Sequence, residues 1–252
     1  MRAPESMRTL GTRESSGITA SIAAAISAMG ARPDDPGVAR SGCTALLTIA
    51  EDGVFRAQAV ASGGGAAAAV RAILGHLSEK AVAATGSAAL TAIAAGGEPC
   101  VQAVVDAGGV QAVLAALRTH PSEVLVVMSG CGMLRSVAEE RAFANLVAEA
   151  GGVAAAVAAL ETHPSVTGRE SNLEAHSSSA DRLIPCPPRA PQDVGVQVAA
   201  LSCLSCLAVS GMACGTTVAD GATAAVAALR AHSSEKDVQA ATQVPTQLSL
   251  HT

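Results

Sequence analysis

The chain has 252 residues, 57 of them alanine, with half of all residues hydrophobic and only two aromatic, Phe55 and Phe143. Without Trp or Tyr, and with a formal net charge of -5, it lacks both the rings on which single-stranded nucleic acids stack and the positive surplus that binds a phosphate backbone. Alanine is the strongest helix former and sheets favour β-branched and aromatic residues, so an all-β architecture is excluded as well.

In chain order, residues 1–17 carry Arg2, Arg8 and Arg13 ahead of the apolar run ITASIAAAISAMG. This loosely imitates a signal peptide, but the apolar run aligns with a repeat, so the expectation is a disordered tail over 1–17. From residue 18 the sequence is self-similar. At a shift of 44, Gly65 falls on Gly109, Ile73 on Leu117, His76 on His120, Ser78 on Ser122 and Glu79 on Glu123. The same shift brings Gly86 onto Gly130, Leu90 onto Leu134 and Ile93 onto Val137, and, backward, Met29 onto Ile73 and Gly42 onto Gly86. A shift of 43 then carries Gly109, Leu117, His120 and Pro121 onto Gly152, Leu160, His163 and Pro164. Such periods mark stacked supersecondary units. The expected units are 18–65, 66–109, 110–152, 153–221 and 222–240, followed by a disordered tail over 241–252.

Each unit reads as three helices, typified by 101–107, 110–120 and about 123–138. The double glycine turns the chain between the first two, where only Gly bends without steric cost. In the turn before the third helix, Pro121 stops the preceding helix and Ser122 is the expected N-cap. The third helix is expected to bury Leu125, Met128, Leu134 and Val137. The fourth unit is interrupted by 166–193, rich in Ser, Pro and charge, which cannot bury enough apolar surface to offset its ordering. A disordered insertion is expected there, open to trypsin at Arg169, Arg182 or Arg189. Val194 resumes the repeat, with Leu204 and Leu207 in the places of Leu134 and Val137. Residues 194–219 carry no charge, but their Gln, Ser, Thr and Gly content suits a repeat helix better than a membrane span.

The pattern resembles the armadillo repeat. The residues that carry it are AGGVQAVLAAL, AGGVAAAVAAL, TALLTIA, AALTAIA and SCLSCLA, over about 18–165 and 194–240. HEAT repeats are the close rival, whereas tetratricopeptide and ankyrin repeats have shorter periods. The resemblance implies an all-α, armadillo-like α-solenoid, a right-handed superhelix of about four to five repeats of three helices each. It also implies a protein or peptide partner held along a concave groove lined by third helices. In the family an asparagine near the end of each third helix grips the ligand backbone, often beside a tryptophan one turn earlier. Here those positions are Thr48, Ala92, Ser136 and Cys206, and, one turn earlier, Thr44, Ala88, Gly132 and Ser202. Both family residues are therefore missing, and the expected groove is shallow and lined by small side chains.

No catalytic, cofactor-binding or metal-binding residue is assigned. His76, His120, His163 and His232 recur at helix C-termini, where imidazole interacts favourably with the last carbonyls, and stacking would set them in a row rather than around one point. The glycine pairs follow no strand and precede no Lys-Ser or Lys-Thr, so they are not phosphate loops. No Gly-x-Ser-x-Gly elbow is present. Glu139, Glu140 and Arg141 read as a solvated charge run. The seven cysteines form no small disulfide scaffold. Cys43 and Cys131 read as buried hydrophobes, and Cys203 and Cys206, a C-x-x-C without a second pair, as buried thiols. The expected protein is a non-catalytic scaffold or adaptor without cofactor, nucleic-acid or membrane partner, in the reducing cytoplasm with the nucleus also open. The alternatives are a regulatory or targeting segment of a larger enzyme of the ubiquitin ligase or kinase type, or a fragment or misassembled reading frame of a longer armadillo protein.

Overall fold

The computed structural model describes the backbone of residues 5–163 and 190–209 and the side chains of 16–163 and 195–207. Among the described residues there are eleven helices and no strand. They are α1 (Glu5–Ala31), α2 (Pro36–Glu51), α3 (Val54–Ser62), α4 (Gly65–Gly75), α5 (Lys80–Ala94), α6 (Glu98–Asp106), α7 (Gly109–Thr119), α8 (Val124–Glu139), α9 (Arg141–Glu149), α10 (Gly152–Thr162) and α11 (Ala190–Val209). Short, middle and long helices succeed one another three times, as α3–α4–α5, α6–α7–α8 and α9–α10–α11, after the pair α1–α2. The architecture is all-α and compatible with a helical repeat. α1 takes in residues 5–17, which the sequence reading placed in a tail, and α11 begins four residues before Val194. The expected insertion, apart from its last residues in α11, the expected fifth unit and the C-terminal tail lie outside the described residues.

The double glycines have a two-part cause. Gly64, Gly108 and Gly151 hold φ values of 84°, 81° and 99°, a left-handed backbone that side chains disfavour. The glycine after Gly64 and after Gly151 serves close packing: a Cβ on Gly65 would stand 2.8 Å from the Val60 carbonyl oxygen, and one on Gly152 equally close to that of Val147. The helices joined there diverge by 66° at α6–α7 and 68° at α9–α10. No single helix among the described residues is long and apolar enough to cross a membrane. A further glycine, Gly86 of α5, lets Ile73 of α4 lie against the helix; a Cβ there would meet Ile73 Cγ1 at 2.5 Å. Gly42 of α2 and Met29 of α1 repeat the contact one copy earlier.

The turns before the third helices differ from expectation. Ser122 does not cap α8: the N-cap is Glu123, in extended conformation and without a side-chain cap. Asp35 does cap α2, its Oδ1 accepting the N–H groups of Gly37 at 2.9 Å and Val38 at 3.2 Å, with Pro36 at the first helical position.

The chain divides into two compact units, Met1–Thr119 and His120–Thr252. In the first, α2 packs along α5, α1 against α2 and α4, and α7 against α4, α5 and α6. Its core is closed by Leu46, Val60, Ile73, Val82, Leu90, Ile93 and Val104. In the second, α8 packs along α11, and α10 against α9 and α11, around Met133, Leu134, Val137, Val147, Leu201 and Leu207. Leu125 is the main departure in this core. Expected to be buried, it is 70 % exposed, and Met128 is half-buried. The buried stripe of α8 is formed instead by Val126, Val127, Gly130, Cys131, Met133, Leu134, Val137 and Ala138.

Candidate functional site on the third helices

The eight positions singled out by the resemblance all lie on long helices at i, i+4 spacing, and none is buried. On α2, Thr44 and Thr48 are exposed; on α5, Ala88 and Ala92 are half-buried. In the other unit, Gly132 and Ser136 of α8 and Ser202 and Cys206 of α11 are half-buried too. Residues three and four apart share a helix face. The face of α2 therefore continues back through Ser41 and Gly37, that of α5 through Thr85 and Ala81, and that of α8 through Ser129 and Leu125. Within the first unit α2 and α5 are packed side by side, as are α8 and α11 within the second, so each unit presents a two-helix surface.

The chemistry of these surfaces is muted. Hydroxyls along them donate to carbonyls of their own helix: Ser41 Oγ to Gly37 at 2.8 Å, Thr44 Oγ1 to Arg40 at 2.9 Å, Thr48 Oγ1 to Thr44 at 3.0 Å and Thr85 Oγ1 to Ala81 at 2.7 Å. Ser129 Oγ and Ser136 Oγ do the same toward Leu125 and Gly132, at 2.7 and 3.1 Å. Each hydroxyl proton is thus used locally, while the oxygen lone pairs remain as acceptors. A Cβ built on Gly132 would meet nothing within 4 Å, so the surface is open there. Met128 lies over Gly195 of α11, where a Cβ would approach its Cε at 2.9 Å. Leu125, assigned to the core by its apolar character, belongs to this outer face. Its position two turns before Gly132 is the signal that would have placed it.

Charge enters at one end of the second surface. Arg135 Nη1 lies 3.4 Å from Glu139 Oε1 along α8. Burial pushes the Cys206 thiol up, the Glu139 carboxylate adds to the rise, and Arg135 opposes it. Cys203, one turn earlier, is fully buried and raised well above the ordinary thiol value by burial, with Cys131 and Cys206 contributing. The C-x-x-C is therefore one buried thiol and one half-buried thiol. No group of three potential ligands able to hold a metal ion occurs among the described residues.

His76 and His163 are held by contacts beyond the helix ends at which they were expected to act. His76 and His163 follow α4 and α10 as C-caps and are 8 % and 7 % exposed. Their Nε2 atoms bond not to the helix they end but to carbonyl oxygens of distant proline turns: His76 to Pro33 at 2.9 Å and His163 to Pro121 at 3.0 Å. A carbonyl only accepts, so Nε2 is the donor in both rings. His120 is half-buried at the matching place in its copy, and His232 lies outside the described residues.

No family model and no curated protein matches the chain. Among solved structures, the chain is similar to a crystal structure of an engineered protein, a Northeast Structural Genomics Consortium target, with a TM-score of 0.55 at 16 % identity, covering 90 % of this chain and 95 % of that one. At that identity the likeness is one of fold alone.

Proposed function

We propose that the chain is a non-catalytic interaction module of the armadillo-like kind: four to five three-helix units in a right-handed superhelix, with a protein or peptide partner lying on the third helices. The observation that supports this reading most directly is the exposed third-helix face. In each unit it is nearly uncharged and built of small side chains, and the hydroxyl protons of Thr44, Thr48 and Ser136 are already used. Such a face has little to offer a reacting group, yet it admits close approach of a partner's backbone or side chains. Leu125 gives it one large apolar anchor, and buried anchors of that kind carry most of the energy in recognition surfaces. None of the five described cysteines is in a disulfide, which suits the reducing cytoplasm proposed as the setting, with the nucleus also open.

The test uses the immobilised full chain to capture partners, which mass spectrometry then identifies. Leu125→Glu and Gly132→Arg, both at exposed or open positions, should remove the captured partner while the helical circular dichroism is unchanged. Gln111→Arg, exposed on the middle helix α7, should retain it. Capture that survives both third-helix variants would overturn the assignment of the surface.

A further inference from the structure

The repeat serves as its own control: where one copy departs from the others without a packing reason, the departure marks a site-specific role. One such place lies in the first unit. A cleft of about 210 Å³ is bounded by Met29, Gly30 and Pro33 at the end of α1, Ala39 of α2, and Ala68, Arg71, Ala72 and His76 along and after α4. Two residues create it, and both are exceptions in the repeat. Gly30 stands where later copies carry Leu74, Arg118 and Glu161, so the α1 side of the cleft has no side chain to fill it. Arg71 stands where later copies carry Ala115 and Ala158.

The lining has two chemical parts. Ala39, Ala68, Ala72 and Met29, all buried, form an apolar floor. Arg71 is exposed, and among the described residues no carboxylate pairs with its guanidinium. His76 closes the inner end and is already committed, because its Nε2 donates to the Pro33 carbonyl at 2.9 Å. The volume falls below the roughly 300–1,000 Å³ of pockets for drug-sized ligands, which excludes a nucleotide or a large cofactor and leaves room for one side-chain-sized group. A planar guanidinium with five donors matches a carboxylate in two-pronged geometry.

We propose that this cleft binds a carboxylate carried on a short branched aliphatic stem: the stem on the alanine floor and the carboxylate on Arg71. The last residue of a peptide and a free short-chain acid share that chemistry. The proposal is independent of the third-helix face and stands or falls without it.

The test is a nuclear magnetic resonance titration of the ¹⁵N-labelled full chain with three probes: isovalerate, a tetrapeptide ending in valine with a free carboxylate, and the same tetrapeptide as its C-terminal amide. Expected are amide shifts concentrated at residues 28–33 and 68–76, saturating at a Kd on the order of 1 mM for so small a ligand, for at least one of the two acids and not for the amide. Response to the peptide acid alone assigns a chain terminus, and response to isovalerate alone assigns a free acid; either supports the site. Arg71→Gln should weaken binding by on the order of tenfold or more, as loss of a charged hydrogen-bonded pair does. Gly30→Leu restores the residue of the next copy at a position where a Cβ meets nothing within 4 Å. It should abolish binding without unfolding the chain, since Leu is the better helix former. Equal binding of the amide, undiminished binding by Arg71→Gln, or no shifts at those residues with either acid would overturn the proposal.

Discussion

Gln197 donates through Nε2 to the carbonyl oxygen of His163 at 2.9 Å, joining the interior of α11 to the end of α10 across the segment that interrupts the fourth copy. In uninterrupted copies the matching carbonyl is met by a backbone N–H three residues on: Glu79 to His76 at 2.9 Å and Glu123 to His120 at 3.2 Å. Gln197 is 1 % exposed and occupies the place of Ala39, Ala83 and Val127, all buried. The side-chain amide thus does from within α11 what a tight turn does elsewhere, and it leaves its own Oε1 buried without a hydrogen-bond partner.

This bond predicts a coupling. Gln197→Ala in the full chain should cost about 1–3 kcal/mol for the stranded carbonyl, besides the loss of packing. Deleting residues 166–192 joins Ser165 to Asp193 and restores the His-Pro-Ser-acid turn, so that the Asp193 N–H can reach His163. In that background the cost of Gln197→Ala should fall by about 1 kcal/mol, read from denaturant unfolding as a double-mutant cycle. Equal costs in both backgrounds would show that Gln197 does not stand in for the turn.

The outward placement of Leu125 separates two leucines of one helix. Leu134→Ala should cost about 2–5 kcal/mol, because Leu134 is fully buried and its removal leaves a cavity. Leu125→Ala should stay within about 0.5 kcal/mol, as surface changes do. Equal losses would return Leu125 to the core.

Ser87 of α5 is fully buried, and its Oγ has no hydrogen-bond partner. The matching residues, Cys43 and Cys131, are apolar in character and equally buried. Ser87→Cys should therefore stabilise the protein by about 1 kcal/mol, since an unpaired buried hydroxyl costs on that order. A lower melting temperature would indicate that the hydroxyl is satisfied after all.

Burial pushes the thiols of Cys43 and Cys131 from 9.0 up to about 12. A folded pKa above the unfolded one means that the stability is fully present below about 9.0 and is lost as pH rises from there toward about 12. The melting temperature should fall between pH 8 and pH 10.5, and Cys43→Ala with Cys131→Ala should flatten that decline. Iodoacetamide at pH 8 should modify Cys206 well ahead of Cys43, Cys131 and Cys203, as peptide mass spectrometry would report.

The helical architecture and the glycine bends were legible because each depends on local chemistry repeated at one period. The positions of the candidate face came from the resemblance alone, and the structure finds Thr44 and Thr48, like Gly132 and Ser136, one turn apart and unburied. Leu125 was misread because α8 is apolar on two sides, with Leu125 and Met128 on one and Val126, Val127, Leu134 and Val137 on the other. Periodicity separates such faces without saying which one the neighbouring helices cover. The histidine partners were hidden because a ring bonded to a carbonyl 43 or 42 residues away leaves no local trace. Ser122 was misread by one position, since the turn places the acidic residue after it at the cap.

The bends at Gly64 and Gly151 combine positive φ with ψ of 18° and 21°, the mirror image of a conformation that ordinary residues favour. At these points the chain asks for the opposite chirality. A D-alanine introduced there by chemical ligation has the backbone preference that glycine merely tolerates, and it restricts the unfolded chain as well. Handedness could thus be used to stiffen the junction between two helices without altering any residue of the third-helix face.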